Sequence, residues 1–258
     1  MVTRPDEKFM VYLCMGQSNM EGAARYEECD TVDVPERFVM MSAVDMPGKG
    51  RRKGEWYTAC PPLARQSTGL TPADYFGREM VKAMPEDVKI GVINVAVGGC
   101  KIELFDPAQC YDYMKNQPDW MKNFASGYEN NPYKRMVEMA RKAQADGGVI
   151  KGILLHQGES NTGDKEWPVK VKDLYERLLA DLELKAEDVP LVAGEMLSAE
   201  EGGQCASMID IVRTLPEVIP TAKVVSSAGC KGAPDGLHFT AEGYREIGRR
   251  YAQAMLNN

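Results

Sequence analysis

The sequence contains no long apolar run. No segment of its 258 residues approaches the ~20 consecutive apolar residues that a membrane-spanning helix requires. The first residues, MVTRPDEKF, contain no apolar segment of the kind found in a secretory signal peptide. The sequence therefore predicts no membrane partner. It leaves the compartment open, because removal of a leader would give the same sequence.

Positive charge is also scarce. The chain has 31 Lys and Arg residues against 38 Asp and Glu residues, which gives a formal net charge of -7. Nucleic acids and anionic membranes select proteins with clustered basic residues, so neither is expected as a main partner. The basic run KGRRKG, residues 49–54, is short and flanked by glycine, and it is predicted to be a solvated loop.

Further absences bear on cofactors. The chain has two histidines and seven cysteines, and the cysteines show no CxxC spacing, so the sequence predicts no catalytic zinc site. It contains neither GxxxxGK[ST] nor GxGxxG, the motifs that bind nucleotide phosphates. No metal and no cofactor are therefore expected. The thiols are predicted to be mostly reduced and buried, although a loop disulfide that involves Cys29, Cys60 or Cys110 stays open.

Apolar, β-branched runs recur along the chain. Each is almost continuously apolar, as expected for a strand that is covered on both faces of a parallel sheet. The five runs begin at Phe9, Val88, Gly148, Val189 and Ala222. Segments with helical periodicity lie between them, and this alternation predicts βαβ units. The sequence thus predicts an α/β fold with a central parallel sheet of about five strands and helices on both faces.

Capping residues mark several helix ends. Thr71 before Pro72 indicates the start of one helix. A second helix is predicted to begin at Pro132 and to stop at Gly147, because glycine commonly follows the last helical turn. Thr240 is the predicted N-cap of the helix that closes the chain.

Two long stretches, residues 22–70 and 98–131, lack regular periodicity. One hydrophobic pattern otherwise runs throughout, so residues 1–258 are predicted to form a single domain. Loops of this length in a compact domain are usually functional or disordered. Both begin where a predicted strand ends, and the ligands of open parallel sheets bind beyond the carboxyl ends of the strands. We therefore expect both stretches to be active-site loops.

The stretch VYLCMGQSNMEG, residues 11–22, ends an apolar run and places Ser18 immediately beyond it. A serine nucleophile needs a base, and with two histidines in the chain the search is short. His238 follows Asp235 by three residues in PDGLHF. In a turn, that spacing lets the carboxylate accept a hydrogen bond from the imidazole Nδ1–H and fix its tautomer. The same pattern also suits an Asx turn before a helix cap.

Other polar or small residues follow the remaining strands. Gly98 and Gly99 end the second run, where a glycine lets the backbone approach a ligand and present its N–H. After the third run, the Gln157 amide is predicted to donate to an oxyanion and Glu159 to support a histidine. Each signal alone also fits an ordinary polar loop. Because parallel strand ends meet on one edge of a sheet, these residues and Ser18 are expected to share one crevice.

Together, GQSNMEG, HQGESN and DGLHF resemble the signature blocks of the SGNH, or GDSL-like, hydrolase superfamily. Within it they are similar to the carbohydrate acetylesterases grouped with sialate O-acetylesterase and acetyl xylan esterase, carbohydrate esterase family 6. The resemblance runs from about Tyr12 to the last helix. It implies a flavodoxin-like, three-layer α/β/α fold and the deacetylation of sugar hydroxyls through an acetyl-enzyme.

The resemblance also implies roles for the residues that could act on the ester. Ser18 matches the nucleophile, His238 the base and Asp235 its partner. Glu159 matches a position that acts as a second acid to the histidine. The sequence departs from the family pattern at Cys100–Lys101, where Thr and Ser are common in relatives. This difference is expected to affect how the substrate fits the site.

An oxyanion hole is implied as well. It would comprise the N–H groups of Ser18 and Gly99, with Gly98 as the alternative to Gly99. The Gln157 amide occupies the place where many SGNH enzymes carry an oxyanion asparagine. Three further polar residues of these blocks are candidate substrate-binding residues: Gln17, Asn19 and Asn161.

The expected function is that of a serine esterase that removes acetyl groups from carbohydrate, with acetylated xylan fragments as the main candidate substrate. Sialate O-acetylesterase is one alternative, and a lipase or thioesterase of the same superfamily is another. Aromatic residues of the long loops suit sugar stacking at least as well as an acyl groove. These residues are Trp56, Tyr57, Trp120 and Tyr128. A non-catalytic carbohydrate-binding protein is the alternative of a different class. The expected partner is an O-acetylated glycan, and the sequence indicates no oligomeric state.

Overall fold

The structure is a computed structural model and describes residues 7–257. Seven strands among these residues form one sheet. They are β1 (Phe9–Gly16), β2 (Phe38–Met41), β3 (Trp56–Thr58), β4 (Lys89–Ala96), β5 (Val149–His156), β6 (Leu191–Gly194) and β7 (Lys223–Val225). Their order is β3-β2-β4-β1-β5-β6-β7, and all neighbours are parallel except β2 and β3.

The α/β class with a largely parallel central sheet is confirmed, and the expected number of strands is corrected. The five predicted runs form β1, β4, β5, β6 and β7. The two additional strands, β2 and β3, lie inside the stretch 22–70 that the sequence predicts as a loop. They contain four and three residues at one edge of the sheet. Runs this short carry no readable period in a sequence.

Helices precede and follow most of the strands in the described part of the chain. The α-helices are α1 (Ser18–Glu21), α2 (Glu28–Thr31), α3 (Pro72–Ala83), α4 (Cys110–Lys115), α5 (Asp119–Ser126), α6 (Pro132–Ala145), α7 (Trp167–Asp181), α8 (Met208–Arg213), α9 (Leu215–Val218) and α10 (Ala241–Leu256). Single 3₁₀ turns occupy Pro47–Lys49, Ile102–Phe105, Glu159–Asn161 and Ala199–Glu201. Within residues 7–257, no helix is both long enough and apolar enough to span a membrane.

The predicted helix caps at Thr71 and Thr240 are present. The Thr71 side chain accepts a hydrogen bond from the N–H of Ala73, and that of Thr240 accepts one from the N–H of Gly243. The stretch 98–131 is less irregular than expected, because it contains α4 and α5. These helices have six and eight residues, too few for their periodicity to stand out in the sequence.

Neighbouring residues of β1 point to opposite faces of the sheet and show that helices cover both. The ring of Tyr12 packs edge-on against Phe76 of α3, with centroids 4.9 Å apart. Val11 points to the opposite face. There it lies beside Ala143 of α6, since a β-carbon built on Gly148 would contact both Val11 and Ala143. Helix α10 packs beside α3 on the first face. The predicted three-layer α/β/α arrangement is thus confirmed.

The carboxyl ends of the central strands meet at one edge of the sheet. Gly16, the last residue of β1, pairs with Ala96 of β4 and with His156 of β5. The pairing extends one residue beyond the strands, since the N–H of Gln17 donates to the His156 carbonyl and that of Val97 to the Gly16 carbonyl, both at 3.1 Å. The polar segments that follow these three strands are therefore brought together.

The loop at residues 49–54, predicted to be solvated, is anchored by one of its arginines. Arg51 is buried, and its guanidinium donates hydrogen bonds to the carbonyls of Cys60 and Pro62 at 2.7 and 2.6 Å. A charge pattern cannot show such a contact, because its acceptors are backbone atoms. All seven cysteines are free thiols, so the disulfide left open at Cys29, Cys60 or Cys110 does not form in this structure.

Candidate active site

Two consecutive hydrogen bonds join Ser18, His238 and Asp235. Ser18 begins α1 just beyond the end of β1, and His238 lies in the loop before α10. The Ser18 Oγ is 2.9 Å from Nε2 of His238, and Nδ1 of His238 is 2.7 Å from Oδ2 of Asp235. Ser18 and His238 are 220 positions apart in the sequence, so the fold alone brings them together.

Asp235 is held as a carboxylate. Its Oδ1 accepts hydrogen bonds from the N–H groups of Leu237 and His238, at 2.9 and 3.0 Å. Burial raises the pKa of Asp235, but the hydrogen bonds from the His238 ring and the two backbone N–H groups outweigh it, so the pKa falls below its ordinary value. An ionised Asp235 accepts the Nδ1–H of His238 and leaves Nε2 free to accept the proton of Ser18.

Glu159 is the second acid near His238, and its environment is different. Its Oε1 accepts a hydrogen bond from Nδ2 of Asn19 at 2.5 Å, whereas its Oε2 is buried and has no partner among residues 7–257. Burial raises the pKa of Glu159, and the hydrogen bond from Asn19 and the charge of His238 offset this only in part. A carboxylate in such a site gains from a neighbouring cation, so Glu159 is suited to stabilise an imidazolium at His238.

Ser18 and His238 line a cavity of about 430 Å³. Trp120 of α5 forms part of its wall, with 48% of its surface exposed, and packs edge-on against Phe124 at a centroid distance of 5.7 Å. No Lys or Arg of the described chain lines this cavity. The other lining residues are Gln17, Glu21, Ala23, Gly98, Gly99, Phe124, Glu159, Ser160, Cys205 and Leu237.

The two glycines after β4 differ in what their N–H groups bind. Gly98 donates its N–H to Oε1 of Glu21 at 3.1 Å and is therefore not free for an oxyanion. The N–H of Gly99 has no acceptor in the described residues. Gly99 has a φ of +71°, and a β-carbon there would lie 2.6 Å from the Trp120 ring, so this position favours glycine. The alternative assignment of Gly98 is corrected, while Gly99 and Ser18 stay the predicted backbone donors.

Glu21 lines the cavity but is not among the site residues predicted from the sequence. It is buried, forms an ion pair with Arg65 and accepts the Gly98 N–H through the same oxygen. The Arg65 guanidinium in turn lies over the Phe124 ring, 4.1 Å from its centroid. Glu21 therefore fixes the glycine turn beside Ser18. The signal available in the sequence is an acid in the block GQSNMEG, three residues after the serine.

The structure turns the Gln157 amide away from the cavity. Gln157 is 1% exposed, and its Nε2 donates to Oε1 of Gln17, to the Cys100 carbonyl and to Oδ1 of Asn161 at 3.1, 3.2 and 2.7 Å. Its Oε1 accepts the indole N–H of Trp167. Both ends of the amide are thus occupied inside the protein. The predicted role of Gln157 as an oxyanion donor is therefore corrected, and its contacts are those of a positioning residue.

Of the three candidate substrate-binding residues, Gln17 lines the cavity, and Asn19 and Asn161 do not. Asn19 is fully buried, and its amide donates to Glu159. Asn161 is 4% exposed and accepts a hydrogen bond from Gln157. These two asparagines hold other side chains in place rather than face a ligand.

Comparison with known proteins supplies the family. A family model described as carbohydrate esterase, sialic acid-specific acetylesterase, matches residues 8–257. The chain belongs to this carbohydrate esterase family. A probable carbohydrate esterase of Arabidopsis thaliana, At4g34215, is 32% identical to this esterase over 96% of the chain and 90% of its own length. The predicted resemblance to carbohydrate acetylesterases is confirmed.

Solved structures support the fold of this carbohydrate esterase. The X-ray structure of the Arabidopsis thaliana protein AT4G34215 superposes with a TM-score of 0.74 at 21% identity, over 96% of this chain and 98% of that one. NanS gives 0.67 at 17% identity, over 97% of both chains. XAC1771, a carbohydrate acetylesterase from Xanthomonas citri, gives 0.66 at 20% identity, over 95% of this chain and 55% of that one.

Proposed function

We propose that this carbohydrate esterase removes acetyl groups from sugar hydroxyls through a serine acetyl-enzyme. The observation that carries the proposal is the continuous path from the Ser18 Oγ through His238 to Asp235, with separations of 2.9 and 2.7 Å. A serine, an imidazole and an ionised carboxylate in this order are the parts of a nucleophilic acyl transfer. The cavity gives an ester access to the Ser18 Oγ.

In the proposed reaction, Nε2 of His238 takes the Ser18 proton while Oγ bonds to the acetyl carbonyl carbon. The carbonyl oxygen becomes an oxyanion beside the N–H groups of Ser18 and Gly99. When the tetrahedral intermediate collapses, His238 gives the proton to the leaving sugar oxygen, and the acetyl group stays on Oγ. Water, deprotonated by His238, then attacks the acetyl group. Acetate leaves, and the Ser18 oxygen recovers its proton from His238.

We infer a neutral glycan, such as an acetylated xylan fragment, as the substrate. The cavity carries two acids, Glu21 and Glu159, and no Lys or Arg among the residues described. A sugar carboxylate placed there would be desolvated without a cationic partner, which is costly. Trp120 and Phe124 offer an aromatic wall against which a sugar ring can stack.

Sialate O-acetylesterase is the second candidate, favoured by the description of the matching family. A neighbouring cavity shares Phe124 with the first and is lined by Arg65, which offers a cation for a sialic acid carboxylate. That guanidinium is already paired with Glu21, which weakens this candidate. A lipase or thioesterase would need a longer apolar groove than a cavity of about 430 Å³ with polar residues in its wall.

The nucleophile is tested by Ser18→Ala. This variant should release no acetate from p-nitrophenyl acetate and should keep the thermal unfolding temperature of the wild type, because Ser18 is partly exposed. A fluorophosphonate should label Ser18 in the wild type and not in the variant. Ser207→Ala is the matched control, since the Ser207 side chain makes no capping hydrogen bond. Glycan binding without any ester hydrolysis would favour a non-catalytic carbohydrate-binding protein instead.

The substrate class is tested by acetate release from a matched panel. Acetylated xylo-oligosaccharides, O-acetylated sialic acid and esters of long-chain fatty acids are compared at equal ester concentration. The xylo-oligosaccharides are expected to give the highest kcat/KM. A preference for O-acetylated sialic acid that is lost in Arg65→Met would transfer the assignment to the second candidate.

A further inference from the structure

The side chain of Gln17 is fixed in one orientation next to the nucleophile. Its Oε1 accepts hydrogen bonds from the backbone N–H groups of Gly158 and Ser160, at 3.4 and 3.2 Å, and from Nε2 of Gln157 at 3.1 Å. Backbone N–H groups only donate, so the atom that faces them must be the amide oxygen. The backbone therefore decides the orientation of the Gln17 amide.

The side-chain amides of Gln157 and Asn161, which lie behind Gln17, are oriented in the same way, by contacts with groups that only donate. The indole N–H of Trp167 donates to Oε1 of Gln157, so Nε2 of Gln157 faces Gln17. Oδ1 of Asn161 accepts the backbone N–H of Ile102 at 2.9 Å and Nε2 of Gln157 at 2.7 Å. Each of the three amides thus meets a group that only donates. Reversal of any one of them would bring two like atoms into contact.

The opposite end of the Gln17 amide points away from this network. Its Nε2 has no acceptor among residues 7–257 and is not one of the buried polar atoms that lack a partner, so it keeps accessible surface. Gln17 is only 3% exposed, and it lines the cavity that holds Ser18 and His238. An amide with two N–H donors therefore borders the space that an acyl carbonyl must enter.

We propose that Nε2 of Gln17 donates a hydrogen bond to the oxyanion, as a third donor beside the N–H groups of Ser18 and Gly99. The proposal rests on the serine mechanism proposed above. Gly98 and Gln157, the other residues expected to donate, direct their N–H groups to internal acceptors. Because three donors already hold its oxygen, the Gln17 amide needs no reorientation when negative charge develops.

The first test is Gln17→Glu. The new carboxylate keeps an oxygen toward Gly158 and Ser160 but has no N–H to offer the cavity. The kcat for acetate release is expected to fall on the order of 10²–10³-fold, with a much smaller change in KM, because the contact forms only in the transition state. Gln253→Glu, on the exposed face of α10, is the matched control and should keep the wild-type kcat. A folded Gln17→Glu variant with the wild-type kcat would overturn the proposal.

A boronic acid gives a second readout that uses the unaltered protein. Its tetrahedral adduct with Ser18 mimics the intermediate. In a crystal structure of the adduct, Nε2 of Gln17 should lie within hydrogen-bond distance of a boronate oxygen, and Gln17→Glu should weaken boronate binding in parallel with kcat. An adduct whose oxygens lie out of reach of Gln17 overturns the proposal even if the variant fails to fold.

The two proposals fail in distinguishable ways. A wild type that neither hydrolyses acetyl esters nor forms an adduct at Ser18 would refute the serine mechanism, and the role of Gln17 with it. An active wild type, an inactive Ser18→Ala and an unaffected Gln17→Glu would refute the role of Gln17 alone.

Discussion

The two histidines lie near the same edge of the sheet in contrasting surroundings. His156, the last residue of β5, is fully buried, and its ring packs edge-on against Phe239 with centroids 5.6 Å apart. Its Nε2 has no hydrogen-bond partner in the described chain. His238 lies in a surface loop, and its two ring nitrogens are hydrogen-bonded to Ser18 and Asp235. Only His238 has a nucleophile on one side and an anion on the other.

Hydrogen bonding also decides which nitrogen of His156 carries its proton. The Tyr251 hydroxyl donates its single proton to the Leu155 carbonyl at 2.7 Å, so Nδ1 of His156, 3.1 Å from that hydroxyl, must donate to it. Burial lowers the pKa of His156 to about 3, so the ring stays neutral at ordinary pH. The comparison shows that hydrogen-bond partners and solvent access, rather than a position near a strand end, make a histidine a candidate general base.

The largest expected effect separates the two histidines directly. His238→Gln should lower the kcat of acetate release by about 10⁴-fold or more, because the proposed general base is lost. His156→Gln makes the same chemical change in the core and should keep most of the activity while lowering the thermal unfolding temperature. Activity assays and calorimetry on both variants test the contrast. An inactive His156→Gln variant with wild-type stability would show that His156, too, takes part in the reaction.

The next effect concerns the two acids beside His238. Asp235→Asn should lower kcat/KM on the order of 10²–10⁴-fold, because an amide cannot fix the Nδ1–H tautomer as a carboxylate does. Glu159→Gln should cost about tenfold, since a buried acid that supports the imidazolium is removed. The double variant should lose nearly all activity, and all three are needed because coupled residues are not additive. Full activity in Glu159→Gln would leave that residue a structural role only.

A last effect, which leaves the reaction itself unchanged at ordinary pH, is a pH dependence of stability caused by His156. Its pKa is about 3 in the folded protein against an ordinary value of 6.5. As the pH falls below 6.5, the unfolded chain therefore binds a proton that the folded protein does not. The free energy of unfolding should decrease by up to about 1 kcal/mol per pH unit until the pH nears the pKa of the folded protein.

Denaturant unfolding across this pH range, compared between the wild type and His156→Gln, measures that contribution. The variant has no group at this position that titrates in the range, so its stability should fall less steeply toward acid pH. Parallel curves for the two proteins would mean that His156 is protonated equally in the folded and unfolded states.

The long elements of the fold could be predicted because burial on both faces leaves a continuous apolar run. Residues Phe9–Gly16 of β1 carry such a run, and all but the first are buried. The short strand β2 at Phe38–Met41 could not be predicted in this way, because four residues carry no period. Its pairing with β4 is decided by tertiary contacts.

The candidate site, too, could be predicted only in part. Ser18 and His238 could be found from local patterns: a strand end, and an acid three residues before a histidine. The direction of an amide cannot be found this way. The Gln157 amide faces inward because it is hydrogen-bonded to the indole of Trp167 and to the side-chain oxygen of Asn161. The residue pattern of the block HQGESN predicts neither contact. The N–H of Gly98 likewise donates to the carboxylate of Glu21, a contact that the position of Gly98 after a strand does not predict.

The place of Trp120 in the cavity wall has a spectroscopic consequence. The chain has three tryptophans. The indole of Trp167 is fully buried, and that of Trp56 is hydrogen-bonded to Asp146 at 3.0 Å. Trp120 is 48% exposed and borders the cavity that Ser18 lines, so a bound glycan that covers its ring would remove water from around the excited indole and shift its emission to shorter wavelength. Occupancy of the cavity is thus readable from the intrinsic fluorescence of the native chain, without a chromogenic ester.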